Sequence, residues 1–133
     1  MAINKILVFG NPLVEKDRLP LKLIKSLRKE FPNIEFKEFD TIEEIQNEGR
    51  ILYILDSVEN IKNVTIIRNI DDLFINRIYS VHDFDLANSL KIFKKLDMID
   101  DVIIFGVPMF MDKKKALIEL VNKIKSISIL END

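Results

Sequence analysis

Three continuous apolar runs punctuate the chain: Ile6-Leu7-Val8-Phe9, Ile51-Leu52-Tyr53-Ile54-Leu55 and Val102-Ile103-Ile104-Phe105. Each stops in residues that favour turns, Gly10-Asn11-Pro12, Asp56-Ser57 and Gly106-Val107-Pro108 respectively. A short run without polar interruption is the pattern of a strand buried on both faces. Two weaker strands are predicted where Ile34, Phe36 and Glu38 alternate with polar neighbours and at Val64-Thr65-Ile66-Ile67.

Between these runs the period changes. Leu19, Leu23, Ile24 and Leu27 are spaced as on one helix face, with Lys22, Lys25, Arg28 and Lys29 between them and Pro20 at the start. That helix is expected to end before Phe31-Pro32. Thr41 could cap a short helix through Gln46, closed by Gly49. Phe84, Ala87, Leu90, Ile92, Phe93 and Leu96 predict a helix from about Val81 to Leu96, with Asp83 and Asp85 in its first turn, where acids suit the dipole. Lys113 to Ile127 reads as a last amphipathic helix. Short strands and helices thus alternate throughout, which predicts an α/β three-layer sandwich whose ligands sit beyond the carboxyl ends of the strands.

Composition narrows the function classes. The chain has 133 residues, 47% of them hydrophobic and 32% charged, enough for one folded domain over residues 1–133 with a single core. Basic residues number 20 and acidic ones 22, so no strong overall field draws nucleic acid or an anionic membrane. There is no cysteine, which removes disulfides, thiolate metal sites and cysteine nucleophiles. Any metal must be held by oxygen and imidazole. The start, Met1-Ala2-Ile3-Asn4-Lys5-Ile6, lacks the pattern of a signal peptide, so a cytoplasmic location is expected. Charges interrupt every apolar run well before the roughly 20 residues needed to cross a bilayer.

Polar groups leaving the strand ends are the candidates for chemistry. Asn11 and Asp17 follow the first strand, Asp56 ends the third, and His82, the only histidine, lies at the start of a helix. Two carboxylates and one imidazole suit a divalent metal with positions left for water or a substrate ligand. Each residue also has a structural explanation: Asp17 as a capping or solvated acid, Asp56 as a turn former, His82 as an exposed or structural side chain. Lys5, Lys16 and Lys113-Lys114-Lys115 read as solvated positions. Gly10-Asn11-Pro12 lacks the further glycines of a dinucleotide loop, no P-loop is present, and neither Ser57 nor Ser80 sits in a nucleophile elbow.

The order of these residues resembles the hydrogenase maturation proteases, which trim the C-terminus of the [NiFe]-hydrogenase large subunit. Ile6-Leu7-Val8-Phe9-Gly10-Asn11-Pro12-Leu13 is similar to that family's opening strand and Gly-Asn-x-Leu turn, and Asp17 falls six residues beyond Asn11. Ile54-Leu55-Asp56-Ser57 resembles an apolar strand of that family that ends in an Asp. Ser80-Val81-His82 with Leu86-Ala87 and Leu90 resembles its Ser-x-His before a leucine-rich helix, and Val102 through Pro108 its last strand. The departures are local. Lys16, Arg18 and Pro20 stand where the family has an acidic pair followed by glycines, and Phe39-Asp40-Thr41 lacks a glycine pair, leaving only Asp40 to carry over.

The resemblance implies a mostly parallel five-stranded sheet and an endopeptidase that removes the C-terminal peptide of a nickel-loaded large-subunit precursor. Asp17, Asp56 and His82 would be the metal-binding and catalytic set, with Asn11, Asp40 and Ser80 as substrate-binding or supporting residues. The nickel would be supplied by the substrate protein, with no permanently bound cofactor, and a transient factor of this kind is compatible with a monomer. Two alternatives come from other classes. A non-catalytic relative would bind a hydrogenase subunit or metal without cutting. A receiver-like signalling domain would need an acidic pair after the first strand and a lysine after the fifth, where Gly10-Asn11 and Gly106-Val107 stand.

Overall fold

The computed structural model describes residues 3–9, 19–39, 45–58, 60–71 and 81–132, and within 81–86 and 129–132 the backbone only. In chain order it contains β1 (Lys5–Val8), α1 (Leu19–Glu30), β2 (Glu35–Glu38), a 3-10 turn (Ile45–Glu48) and β3 (Ile51–Val58). These are followed by β4 (Thr65–Ile67), α2 (Val81–Lys95), β5 (Asp101–Pro108) and α3 (Lys113–Asn132). The strands form one five-stranded sheet in the order β2, β1, β3, β5, β4. All neighbours are parallel except β4, which pairs antiparallel with β5. The expected α/β sandwich with a mostly parallel sheet is therefore the observed one.

Alternation along the central strands sorts the core into two layers. Tyr53 and Leu55 of β3, with Ile103, Phe105 and Val107 of β5, pack against Leu23 and Leu27 of α1 and Leu120 and Ile124 of α3. Leu52, Ile54 and Val58, with Val102 and Ile104, face the other way onto Ala87 and Leu90 of α2. Side chains such as Leu55, Phe105 and Leu120 are fully buried, each contributing roughly 1.5–3 kcal/mol relative to exposure. Both faces of β3 and β5 are covered, which is why their sequences read as continuous apolar runs rather than as alternation.

Strand ends differ from the sequence expectation. β3 continues through Asp56 and Ser57 to Val58, and β5 through Gly106 and Val107 to Pro108, because these residues pair with each other in register. A strand ends where its ladder partner ends, and a polar residue whose backbone is paired does not stop it. The short helix expected after Thr41 is, in its described part, the 3-10 turn. Gly49 does close it, at φ +140°, a conformation that side-chain-bearing residues rarely adopt.

The amino edge of the sheet fixes the direction of α2. Asp97, at φ 59°, ends the helix in a Schellman arrangement in which Met98 N–H donates to Phe93 O at 2.9 Å and Asp97 N–H to Lys94 O at 3.1 Å. Arg50, just before β3, donates to Asp97 O at 3.0 Å and to Asp100 Oδ1 at 2.8 Å. The C-terminus of α2 is thereby held where β3 and β5 begin, and the helix runs back antiparallel to them. Its first turn, which contains His82, is the end remote from these contacts.

Candidate functional site

Asp56 is the one predicted site residue whose side chain lies among the described residues. It sits third from the end of β3 at the middle of the sheet, 3% exposed, directly opposite Gly106 of β5. Its neighbours two positions away, Ile54 and Val58, belong to the core layer under α2, so strand alternation puts the Asp56 side chain on the α2 face. A carboxylate in such apolar surroundings must be hydrogen-bonded to be tolerated. The following backbone helps, since Ser57 N–H donates to Asp56 Oδ1 at 2.9 Å.

The walls beside Asp56 are set by its neighbours in the sheet. On one side Phe9 N–H donates to Leu55 O at 2.9 Å, so the chain leaving β1 departs from immediately beside Asp56. On the other side a Cβ at Gly106 would stand 3.0 Å from Val58 Cγ2 and 3.4 Å from Ile67 Cδ1. Glycine there keeps the cross-strand position opposite the carboxylate free of a side chain. The sequence presents Gly106 as a turn residue, whereas the structure gives it a packing role inside a strand.

The remaining predicted residues are distributed as follows. Asn11, Asp17, Asp40 and Ser80 lie outside the described residues. His82 is in the first turn of α2 by its backbone. Among the described residues no three histidine, aspartate or glutamate side chains gather as a metal site. The chemistry of the three-residue set is compatible with a divalent, borderline-soft ion such as nickel, which takes imidazole and carboxylate ligands.

Two cavities occupy opposite edges of the sheet. One of about 570 Å³ at the amino edge is lined by Lys5, Glu48, Arg50, Tyr53 and Asp100 among others. Its charges are matched: Glu48 Oε1 accepts from Lys5 Nζ at 3.0 Å and from Lys37 Nζ at 2.9 Å. The hydrogen bonds from Lys37 and then Lys5 hold the Glu48 carboxyl below the ordinary value of 4.5. Lys5, expected to be solvated, is instead half-buried in this pairing. The second cavity, of about 890 Å³, opens at the carboxyl edge beyond Val58 and Pro108. Both fall in the size range of ligand sites, but only the second shares an edge with Asp56. Its Met109-Phe110-Met111 wall carries a signal in the sequence, since an apolar triplet straight after a strand-ending proline is unusual for a turn.

The whole architecture has counterparts among solved structures. A hydrogenase 3 maturation protease matches with a TM-score of 0.61 at 19% identity, covering 92% of this chain and 90% of that one. The endopeptidase HycI from Escherichia coli matches with a TM-score of 0.56 at 16% identity, covering 93% and 90%. An uncharacterized protein from Wolinella succinogenes matches with a TM-score of 0.58 at 11% identity over 98% and 97% of the two chains. No protein-family profile and no curated protein matches the sequence. The chain therefore has a hydrogenase maturation protease-like fold, in a divergent form. Among the described residues, no helix is long and apolar enough to cross a membrane.

Proposed function

We propose that this protein is a cytoplasmic endopeptidase that removes the C-terminal peptide of a nickel-loaded [NiFe]-hydrogenase large-subunit precursor. The observation that carries this reading is Asp56, a buried carboxylate at the carboxyl end of the central strand, in a fold shared over more than nine-tenths of its length with a hydrogenase 3 maturation protease and the endopeptidase HycI. A carboxylate there contributes nothing to apolar packing, and such breaches of the core pattern concentrate at functional sites.

In this reading the nickel arrives with the substrate, and Asp17, Asp56 and His82 complete its coordination. Bound metal polarises a carbonyl and activates water, the chemistry that peptide hydrolysis needs. The protein's part is positional: the three ligands dock the precursor so that its scissile bond is held at the carboxyl edge of the sheet. Asn11 orients the turn after β1 or binds substrate backbone, Ser80 caps the helix that presents His82, and Asp40 contacts substrate. The protein acts as a monomer and holds no cofactor of its own.

The test is to mix the purified protein with a nickel-loaded large-subunit precursor and with a nickel-free control, and to follow loss of the C-terminal peptide by mass spectrometry. Cleavage only with nickel, abolished in Asp56→Ala and His82→Ala, is the expected result. Equal cleavage without nickel, or undiminished cleavage by those variants, overturns the mechanism. Binding without cleavage assigns the protein as a non-catalytic relative.

A further inference from the structure

The cavity at the carboxyl edge has a surface that the peptidase reading does not use. Its floor is Val58, Ile61 and Pro108, and its wall is the turn after β5, where Phe110 is 79% exposed between Met109 and Met111. An isolated exposed aromatic is ordinary, but one that lines a cavity of about 890 Å³ together with Val58, Ile61 and Pro108 is the anatomy of an interaction site. The flanking methionines are adaptable side chains that suit a surface which must repack around a ligand.

The rim of the groove is basic. Lys62 and Lys115 line it, and Lys113 and Lys114 precede Lys115 in the first turn of α3. Cations at a helix N-terminus oppose the dipole, and this turn contains no acid. Among the described residues that line the groove the one carboxylate is Asp112, occupied as the helix cap, its Oδ2 accepting from Lys115 N–H at 3.1 Å. Four lysines elsewhere meet a carboxylate, Lys5 and Lys37 at Glu48, Lys91 at Asp71 and Lys125 at Glu30. Others, such as Lys25 and Lys29 on α1, meet none among the described residues, so it is the clustering of the groove lysines beside a cavity that sets them apart. Among the described residues no carboxylate pairs with the ammonium groups of Lys62, Lys113, Lys114 or Lys115. The protein as a whole carries a formal charge of −2, so this positive rim is a local feature.

We propose that this groove docks an acidic segment of a partner protein, one that inserts an aromatic or aliphatic side chain beside Phe110 and sets its carboxylates against the lysine rim. Charge complementarity selects an acidic partner, and the concave floor selects an inserted side chain over a flat bilayer surface. The groove begins two residues beyond Asp56 in β3, so a segment held here lies at the same edge as the proposed chemistry. The inference goes beyond the peptidase reading and stands apart from it, because its probes contain neither nickel nor a scissile sequence.

The test uses fluorescence anisotropy with two labelled peptides, one carrying a Phe and a Leu among glutamates, the other identical with lysine for each glutamate. The intact protein is expected to bind the acidic peptide and not the basic one, less tightly as salt rises. Phe110→Ala, and separately Lys113→Glu with Lys114→Glu, should weaken binding at least ~10-fold, while Lys29→Glu on α1 leaves it unchanged. All these positions are exposed, and unchanged circular dichroism checks that each variant is folded. Failure to bind the acidic peptide, equal binding of both peptides, or indifference to Phe110→Ala overturns the proposal. So does preferential binding to anionic phosphatidylglycerol vesicles, or self-association that Phe110→Ala abolishes, which would give the groove to a membrane or to a second copy of the chain.

Discussion

The two edges of the sheet use charge in opposite ways. At the amino edge Glu48 joins Lys5 and Lys37, and Arg50 ties Asp97 to Asp100, so that charges of opposite sign meet and hold separate elements together. At the carboxyl edge a carboxylate is buried in the core layer, Lys62 and Lys115 line a groove whose one described acid, Asp112, caps a helix, and Phe110 is exposed. The first arrangement contributes to stability. The second adds little to it, as expected of the edge to which the proposed binding and chemistry are assigned.

The largest effect expected from this contrast is at Asp56. Asp56→Asn keeps the shape and a hydrogen-bond acceptor, so it should hold or raise the melting temperature while lowering nickel-dependent cleavage at least ~100-fold, the upper range for losing even an outer partner of a metal site. A variant that melts much earlier and cuts normally would make Asp56 a structural residue and erase the distinction between the edges.

A smaller effect is expected beside it. Gly106→Ala places a Cβ 3.0 Å from Val58 Cγ2, a β-branched side chain with little freedom to move. It should cost about 1–3 kcal/mol in denaturant unfolding. Val58→Ala in the same molecule should recover part of that loss, and a double-mutant cycle measures the coupling. Strict additivity would show that the two side chains do not compete for the space.

The smallest effect belongs to the amino edge and depends on pH. Because folding lowers the Glu48 pKa, the unfolded chain takes up its proton first as pH falls. The stability Glu48 contributes is therefore fully present above its unfolded value and is lost as pH drops through the lower folded value. Glu48→Gln should flatten the acid limb of a melting-temperature profile below about pH 4.5 and leave cleavage at neutral pH untouched. An unchanged acid limb would mean that the Lys5 and Lys37 pairing contributes nothing.

Much of the architecture was legible in the chain because local pattern and tertiary burial agree. Leu19 to Leu27 carry a helical stripe that buries as one face, and the apolar runs of β3 and β5 mark strands covered on both sides. The ends of those strands were not legible. Asp56-Ser57 and Gly106-Val107 look like turn formers until they are seen paired with each other. Lys5 reads as a solvated lysine because its partner Glu48 lies far along the chain. For the candidate site, Asp56 was visible as the polar residue closing an apolar run, whereas the groove was not, since it joins Ile61, the Phe110 turn and the start of α3.

The sequence alone determined which segments become strands and helices and which polar residues leave them, because those depend on the periodicity of neighbours. Tertiary structure decided the strand order, the antiparallel placement of β4, the burial of Asp56 opposite a glycine and the gathering of lysines around Phe110. These depend on pairs far apart in the chain, whose meeting is fixed only when the sheet closes over both layers of its core.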